Sequence, residues 1–255
     1  MIDLPDPDYT ADDVLRTSGI RGLPIDVNLV ASRISGLEVV EDDLDGEGLF
    51  FDLGIRGAQI MLRRGAHPLR KKFTLAHEIG HFFVREQAAV YARSQKPKKV
   101  SRNVEIERWC NRFAASLIMP RDALLDYLRS AKLKGLLDAV GCGPTLFGVS
   151  NAAFRSRIAE ISPTSIYGFF PTDRRSRRDS MYLSEKKETH WKPAYNEMLQ
   201  KLLSNTHRSD VVFLSDVVIV SGWTSFPQNS PDSELLIIIM RSQATQASQS
   251  PIFKA

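Results

Sequence analysis

Between Phe73 and Phe83 the chain carries His77, Glu78, Ile79, Gly80 and His81. Two histidines four positions apart lie one above the other on one face of an α-helix, so both imidazoles can address one metal ion. This is the HExxH arrangement of zinc hydrolases. The glutamate between them is not required as a ligand. One turn of helix carries it to the side where a metal-bound water would sit, and there it can act as general base. His77 and His81 are therefore candidate metal ligands and Glu78 the candidate catalytic base.

The surroundings argue against a merely solvated helix. Phe73, Leu75, Ala76, Ile79, Phe82 and Phe83 make the segment apolar on most sides, and the expectation is that the histidines are buried, where polar groups need partners. Pro68 suits a first helical residue, so the metal helix is predicted over 68–85.

With 255 residues and 43% hydrophobic content, the chain has the material for one large globular domain or two modest ones. Two cysteines, Cys110 and Cys142, are too few for a disulfide framework. No signal segment opens the chain, and apolar runs such as 235–240 are too short to span a membrane. A soluble cytoplasmic protein is expected. The net charge of +4 conceals an asymmetry: residues 1–50 hold 12 acidic and 3 basic side chains, leaving 18 acidic (30 − 12) and 31 basic (34 − 3) for the rest. A basic remainder can approach nucleic acid or an acidic protein surface, although scattered solvated charges are the commoner explanation.

In chain order, Thr10 and Asp13 resemble a capping box and Gly19 a left-handed stop, which predicts a helix over 11–18. Asp26 can cap a second helix whose Val27, Val30, Ala31 and Ile34 keep helical spacing until Gly36. Leu37 to Val40 reads as a strand. Leu49 to Leu53 and Ala58 to Leu62, separated by Gly54 to Gly57, read as an antiparallel pair. Substrates of zinc peptidases commonly lie extended beside an edge strand. Ala58 to Leu62 is the candidate for that strand, with a paired interior position as the alternative.

From 87 to 104 no acidic residue occurs, while Arg93, Lys96, Lys98, Lys99 and Arg102 gather around Pro97. An exposed loop is expected, either simply solvated or offering a handle to nucleic acid or an acidic partner. A helix follows from about Asn103 to Pro120, which then opens another through Leu128. Catalytic zinc usually takes three protein ligands, so a third must come from outside the first helix. Glu105 and Glu107 stand on the second one.

At this point a family resemblance becomes specific. The run from Lys72 to His81, with Glu107-Arg108-Trp109-Cys110-Asn111-Arg112-Phe113-Ala114-Ala115 and Leu117-Ile118-Met119-Pro120, resembles the ImmA/IrrE family of metallopeptidases over about residues 15–160. The resemblance implies a zincin-like α+β peptidase domain with His77, His81 and a downstream glutamate on Zn2+. It also implies cleavage of a helix-turn-helix repressor, relieving repression under stress or during mobile-element induction. Cys110 stands where alanine is commoner in the family, and its closeness to the site leaves sensitivity to oxidation open.

Helical phase separates the two glutamates. At about 100° per residue from Ile106, Cys110, Phe113, Ala114 and Leu117 fall within about −20° to 80° and define the buried face. Glu107 falls at about 100°, whereas Glu105 falls near 260° beside Arg108 and Arg112. Glu107 is thus the expected third ligand. Asn111, one turn beyond it, can reach a ligand histidine's free ring nitrogen.

Over 132–161, Leu146 to Ser150 and Asn151 to Ile158 look like the turn and second helix of a helix-turn-helix. Ser150 would cap that helix, and Arg155 and Arg157 could reach phosphate or bases, but Gly141 to Pro144 interrupts the preceding helix. A role in the folded core is preferred. Beyond Pro163 the texture is strand-like: 166–170, 181–184, 211–220 and 234–240 read as strands. A helix carries Trp191, Tyr195, Met198, Leu199 and Leu202 on one face, and four arginines crowd 174–178. The expected organisation is a peptidase domain over 1–162, with a small antiparallel sheet, and a smaller C-terminal α+β unit over 163–255, regulatory or sensor-like. The leading function is a zinc endopeptidase. The alternative is a non-catalytic zinc-containing regulator that binds DNA or protein.

Overall fold

The computed structural model describes residues 4–94 and 104–161 together with five strands beyond them; side chains are described at 4–85, 104–131 and 138–161. Chain contacts divide the protein into two compact units, one of residues 1–121 with 147–149, the other of 122–146 with 150–255.

The first unit opens with α1 (Pro7–Ser18) and α2 (Val27–Ser32). Asp6, rather than Thr10, caps α1: its carboxylate accepts from the backbone N–H groups of Asp8 and Tyr9 at 2.8 and 3.2 Å. Pro7 then occupies the first position, where its missing N–H costs nothing, and the helix starts four residues earlier than its capping-box pattern suggests. Gly19 ends it in the left-handed conformation, as expected. Asp26 caps α2, which stops at Ser32, short of Gly36.

Next come β1 (Leu37–Asp42), β2 (Gly48–Asp52), β3 (Ala58–Arg63), and the long helices α3 (Pro68–Ser94) and α4 (Val104–Ile118). The fold is mostly helical α+β with a small mixed sheet of order β1-β3-β2. β2 and β3 pair antiparallel, Phe50 opposite Ile60, but β1 runs parallel to β3, Val39 opposite Ile60. The expectation of an all-antiparallel sheet is corrected accordingly, and of the two positions open to Ala58 to Leu62 the structure has the paired interior one, not the edge. β3 is central, because β1 takes its second edge, starting where Ala58 N–H donates to Gly36 O at 2.8 Å. Ala58, Ile60 and Leu62 are buried, the inward positions of a strand with period two. The open edge beside α3 belongs to β2.

α3 begins at Pro68, with Leu69 N–H donating to His67 Nδ1 at 3.3 Å, and runs well past residue 85. The continuation is rich in alanine and other helix formers and meets no glycine or proline before Pro97, which turns the start of the expected basic loop into helix. Residues 95–103 lie outside the described residues. α4 packs against both α3 and α1. Trp109 Nε1 donates to Pro5 O and Ser116 Oγ to Asp8 Oδ1, each at 2.7 Å, holding the N-terminal segment along α4.

The second unit takes α5 (Arg121–Ser130) from Asp122, α6 (Lys132–Phe147) up to Leu146, α7 (Asn151–Ile161) and five strands: β4 (Thr164–Phe169), β5 (Ser180–Tyr182), β6 (Asp210–Phe213), β7 (Val217–Thr224) and β8 (Glu234–Arg241). They form an antiparallel sheet of order β5-β4-β8-β7-β6, in which the expected 211–220 strand is two strands, β6 and β7, paired in a hairpin. The helix expected around Trp191 to Leu202 and the 174–178 arginines lie outside the described residues. α6 continues through Gly141 to Pro144 instead of breaking there. Gly143 faces Phe154 so closely that a Cβ would stand 2.1 Å from the ring, so the glycine serves the packing of two helices. Ser150 does cap α7, its hydroxyl accepting from Ala153 N–H at 3.2 Å. Arg155 and Arg157, however, are only 3% and 1% exposed, and Arg157 pairs with Glu160 at 3.1 Å. Their burial takes them away from phosphate or bases and agrees with the preferred role in the folded core.

Candidate metal centre

α3 and α4 cross at Gly80. A Cβ there would lie 3.2 Å from both Cys110 Cα and Phe113 Cδ1, so hydrogen in place of a side chain is what lets the helices approach. Phe113 stacks on Trp109 at 5.3 Å and meets Phe83 at 5.7 Å, and Ile79, Cys110, Ala114 and Leu117 complete a dry seam. This crossing brings the exposed carboxylate end of Glu107 over the two histidines.

His77 Nε2 lies 3.4 Å from Glu107 Oε2, and His81 Nε2 lies 3.6 Å from Glu107 Oε1. The two Nε2 atoms are 3.2 Å apart. His77 Nδ1 faces Asn111 Oδ1 at 3.0 Å; since that oxygen only accepts, the proton belongs on Nδ1 and the lone pair on Nε2. Burial and the neighbouring His77 hold His81 below the usual imidazole range, favouring its neutral, ligating form, with Glu107 opposing. Among the described residues, His77, His81 and Glu107 form the one group of three or more such side chains able to hold a metal ion. Zinc bonds of about 2.0–2.1 Å set tetrahedral ligand atoms about 3.3 Å apart. The separations of His77 Nε2 from His81 Nε2 and from Glu107 Oε2 lie near that value, and one ligand atom from each of the three residues lies within 4.8 Å of the others, so the donor set fits zinc.

The histidines are half-buried rather than fully enclosed, with side chains 16% and 22% exposed, and Glu107 is 46% exposed. The cluster therefore opens to solvent on one side, as a site that must admit a substrate requires. Glu105 is exposed and takes no part in the group. Glu78 is 8% exposed, and its carboxyl is pushed up to about 7 by burial first and by the charge of Glu107 second. A group near neutrality can both accept and return a proton. The Cys110 thiol is fully buried and pushed up to about 12, again mainly by burial, so the oxidation sensitivity raised by its position is not supported.

Three features of the centre escaped sequence reasoning. Gly48, at the start of β2, passes directly over the base: a Cβ on it would stand 2.5 Å from Thr74 Cγ2 and 3.3 Å from Glu78 Oε1. Phe50, two residues on, stacks beside His81 at 6.3 Å. Arg85 donates to Gly57 O and Gly54 O at 3.0 and 2.8 Å and pairs with Asp52 at 2.9 Å, fastening the β2–β3 turn to α3. Only the glycines gave a local signal.

Over this same stretch, residues 34–158 match the model of the IrrE N-terminal-like domain, a peptidase family. Residues 34–158 are an IrrE N-terminal-like domain. The IrrE-like domain thus contains the metal helix, α4 and the whole mixed sheet, and its membership suggests a metallopeptidase. The fold is similar to that of a Mycobacterium tuberculosis transcriptional regulator, with a TM-score of 0.53 and 14% identity over 93% of this chain and 88% of that one. No curated protein matches the chain in sequence. Among the described residues no helix is long and apolar enough to cross a membrane.

Proposed function

We propose that this protein is a zinc-dependent endopeptidase whose substrate is a helix-turn-helix transcriptional repressor. The single observation that carries the reading is the convergence of His77, His81 and Glu107 beside the buried carboxyl group of Glu78. A purely structural zinc site tends to be closed by four protein ligands and has no use for such a base.

His77, His81 and Glu107 would hold the ion, and Asn111 fixes the His77 ring with Nε2 facing inward. Bound there, zinc would polarise the scissile carbonyl and acidify the attacking water. Glu78 takes the proton from that water and hands it to the departing amine. The open edge of β2 supplies the bed for the substrate strand. Glu47 O accepts from Arg63 N–H, and Leu53 N–H donates to Gly57 O, so odd-numbered residues of β2 bond to β3. The N–H and C=O groups of Gly48 and Phe50 therefore face the open edge, beside Glu78 and His81.

The repressor as substrate rests on the family resemblance, together with the likeness in fold to a regulator. We extend the expected division to function: the peptidase work lies within 1–162, and 163–255 regulates it. The test is co-expression with a neighbouring helix-turn-helix regulator. Wild-type protein should shorten the regulator and Glu78→Gln should leave it intact while keeping its zinc. Intact regulator in both, with tight DNA binding by this chain alone, would favour a non-catalytic regulator instead.

A further inference from the structure

The mixed sheet has a second face. Gly48, Phe50 and Asp52 of β2 turn toward Glu78, His81 and Arg85, so Leu49 and Phe51 stand on the opposite side. The register sets Leu49 beside Met61, and Met61 beside Val40, as an apolar row across all three strands; Phe51 lies in the next row with Gln59 and Glu38. Leu49 is 45% and Phe51 40% exposed, and Ile55, in the turn that follows Phe51, is fully exposed. Three strands spaced about 4.8 Å apart give a strip about 10 Å wide, the width of one α-helix.

The rim of this strip is acidic. Residues 38–47 contain Glu38, Glu41, Asp42, Asp43, Asp45 and Glu47 and no basic residue. Lys71 pairs with Glu41, and Arg63 and Arg70 approach Glu47, while Glu38 accepts from Gln59. Asp42 stays exposed two residues beyond Val40, opposite Arg63, and Asp43 and Asp45 are exposed in the loop that follows. An apolar strip edged by carboxylates suits an amphipathic helix whose apolar face is flanked by lysine or arginine.

We propose that this outer sheet face docks a basic amphipathic helix of the protein substrate, at a distance from the metal centre on the other side of β2. The inference rests on the endopeptidase reading for its occupant. DNA-binding proteins carry basic helices, so the charge that serves them on DNA serves them here. Docking on one face of β2 would raise the local concentration of the segment to be cut at its open edge.

The test uses the full-length protein and two labelled synthetic 18-residue helical peptides, one with leucine and lysine faces and one with leucine and glutamate faces, followed by fluorescence anisotropy. Wild type should bind the lysine peptide and not the glutamate one. The double variant Leu49→Ser/Phe51→Ser, and separately Asp43→Lys/Asp45→Lys, should each weaken binding at least about tenfold. Both should keep their zinc load, and should the first fail to fold, the second carries the test alone. Equal binding by the variants, or equal binding of both peptides, would overturn the proposal. So would a wild-type dimer that the Leu49/Phe51 variant dissociates without any peptide binding, since the face would then belong to a second copy. Glu78→Gln should bind the lysine peptide like wild type. Intact regulator alongside normal peptide binding would sink only the peptidase reading, and cleavage without differential peptide binding only the docking surface.

Discussion

Gly80 and Cys110 meet at the crossing of α3 and α4, with room for a hydrogen but only 3.2 Å for a methyl group measured to the Cys110 backbone. The separation of the two helices is fixed there, three residues from His77 and three from Glu107. In Gly80→Ala, better helix propensity offsets about 1 kcal/mol of an overpacking cost of about 1–3 kcal/mol, so stability should change little. Zinc affinity should fall about tenfold, because α4 must retreat by a few tenths of an ångström and carries Glu107 with it. Competition with a chromophoric chelator, alongside thermal melting, separates the two effects; unchanged affinity would mean that Glu107 adjusts freely.

The two carboxylates at the start of α4 should behave differently. Glu107→Ala is expected to abolish stoichiometric zinc binding and Glu105→Ala to leave it near wild type, as measured by metal analysis after dialysis. Asn111→Ala should lie between them, with affinity reduced about 10–100-fold, since the His77 ring loses the partner that orients it. The reverse order for the two glutamates would show the geometry of the centre to be wrong.

Thiol chemistry should be confined to one cysteine. Cys142 is exposed, whereas Cys110 is buried with its thiol pushed up to about 12. At pH 8 the Cys110 thiolate is on the order of one part in ten thousand. Iodoacetamide should therefore modify one residue per native chain and two after denaturation. Rapid labelling of both in the native state would contradict the buried seam.

Glu78 makes the metal-free protein sensitive to pH. Its folded pKa, about 7, lies above the ordinary 4.5, so its contribution to stability is fully present below pH 4.5 and is lost as the pH rises through 7. Glu78→Gln should thus stabilise the metal-free protein at pH 8, by up to about 3 kcal/mol, and make no difference near pH 4.5. Denaturant titrations of both proteins at the two pH values decide it; a variant no more stable at pH 8 would show that the carboxylate is already well solvated.

The chain by itself determined what is local. Two histidines at i and i+4 converge because helical rise and twist are fixed, and the same twist told Glu107 from Glu105 and set Asn111 against His77. Caps and stops at Asp26, Gly19 and Ser150 were legible for the same reason, since each depends on a few neighbouring backbone groups. What only the tertiary structure decided was pairing between distant residues. Alternation identified Ala58 to Leu62 as a strand but not its partners, and β1 claimed the edge that would have made it the substrate strand. That transferred the open edge to β2, with Gly48 over Glu78. Arg155 and Arg157 could be read as able to reach phosphate or bases, and their burial bears out the preferred place in the folded core; α6 runs through Gly143 and Pro144, with Phe154 filling the space beside Gly143. Even Glu107, correctly phased on its own helix, reaches the histidines only because Gly80, on another helix, lets α4 come close enough.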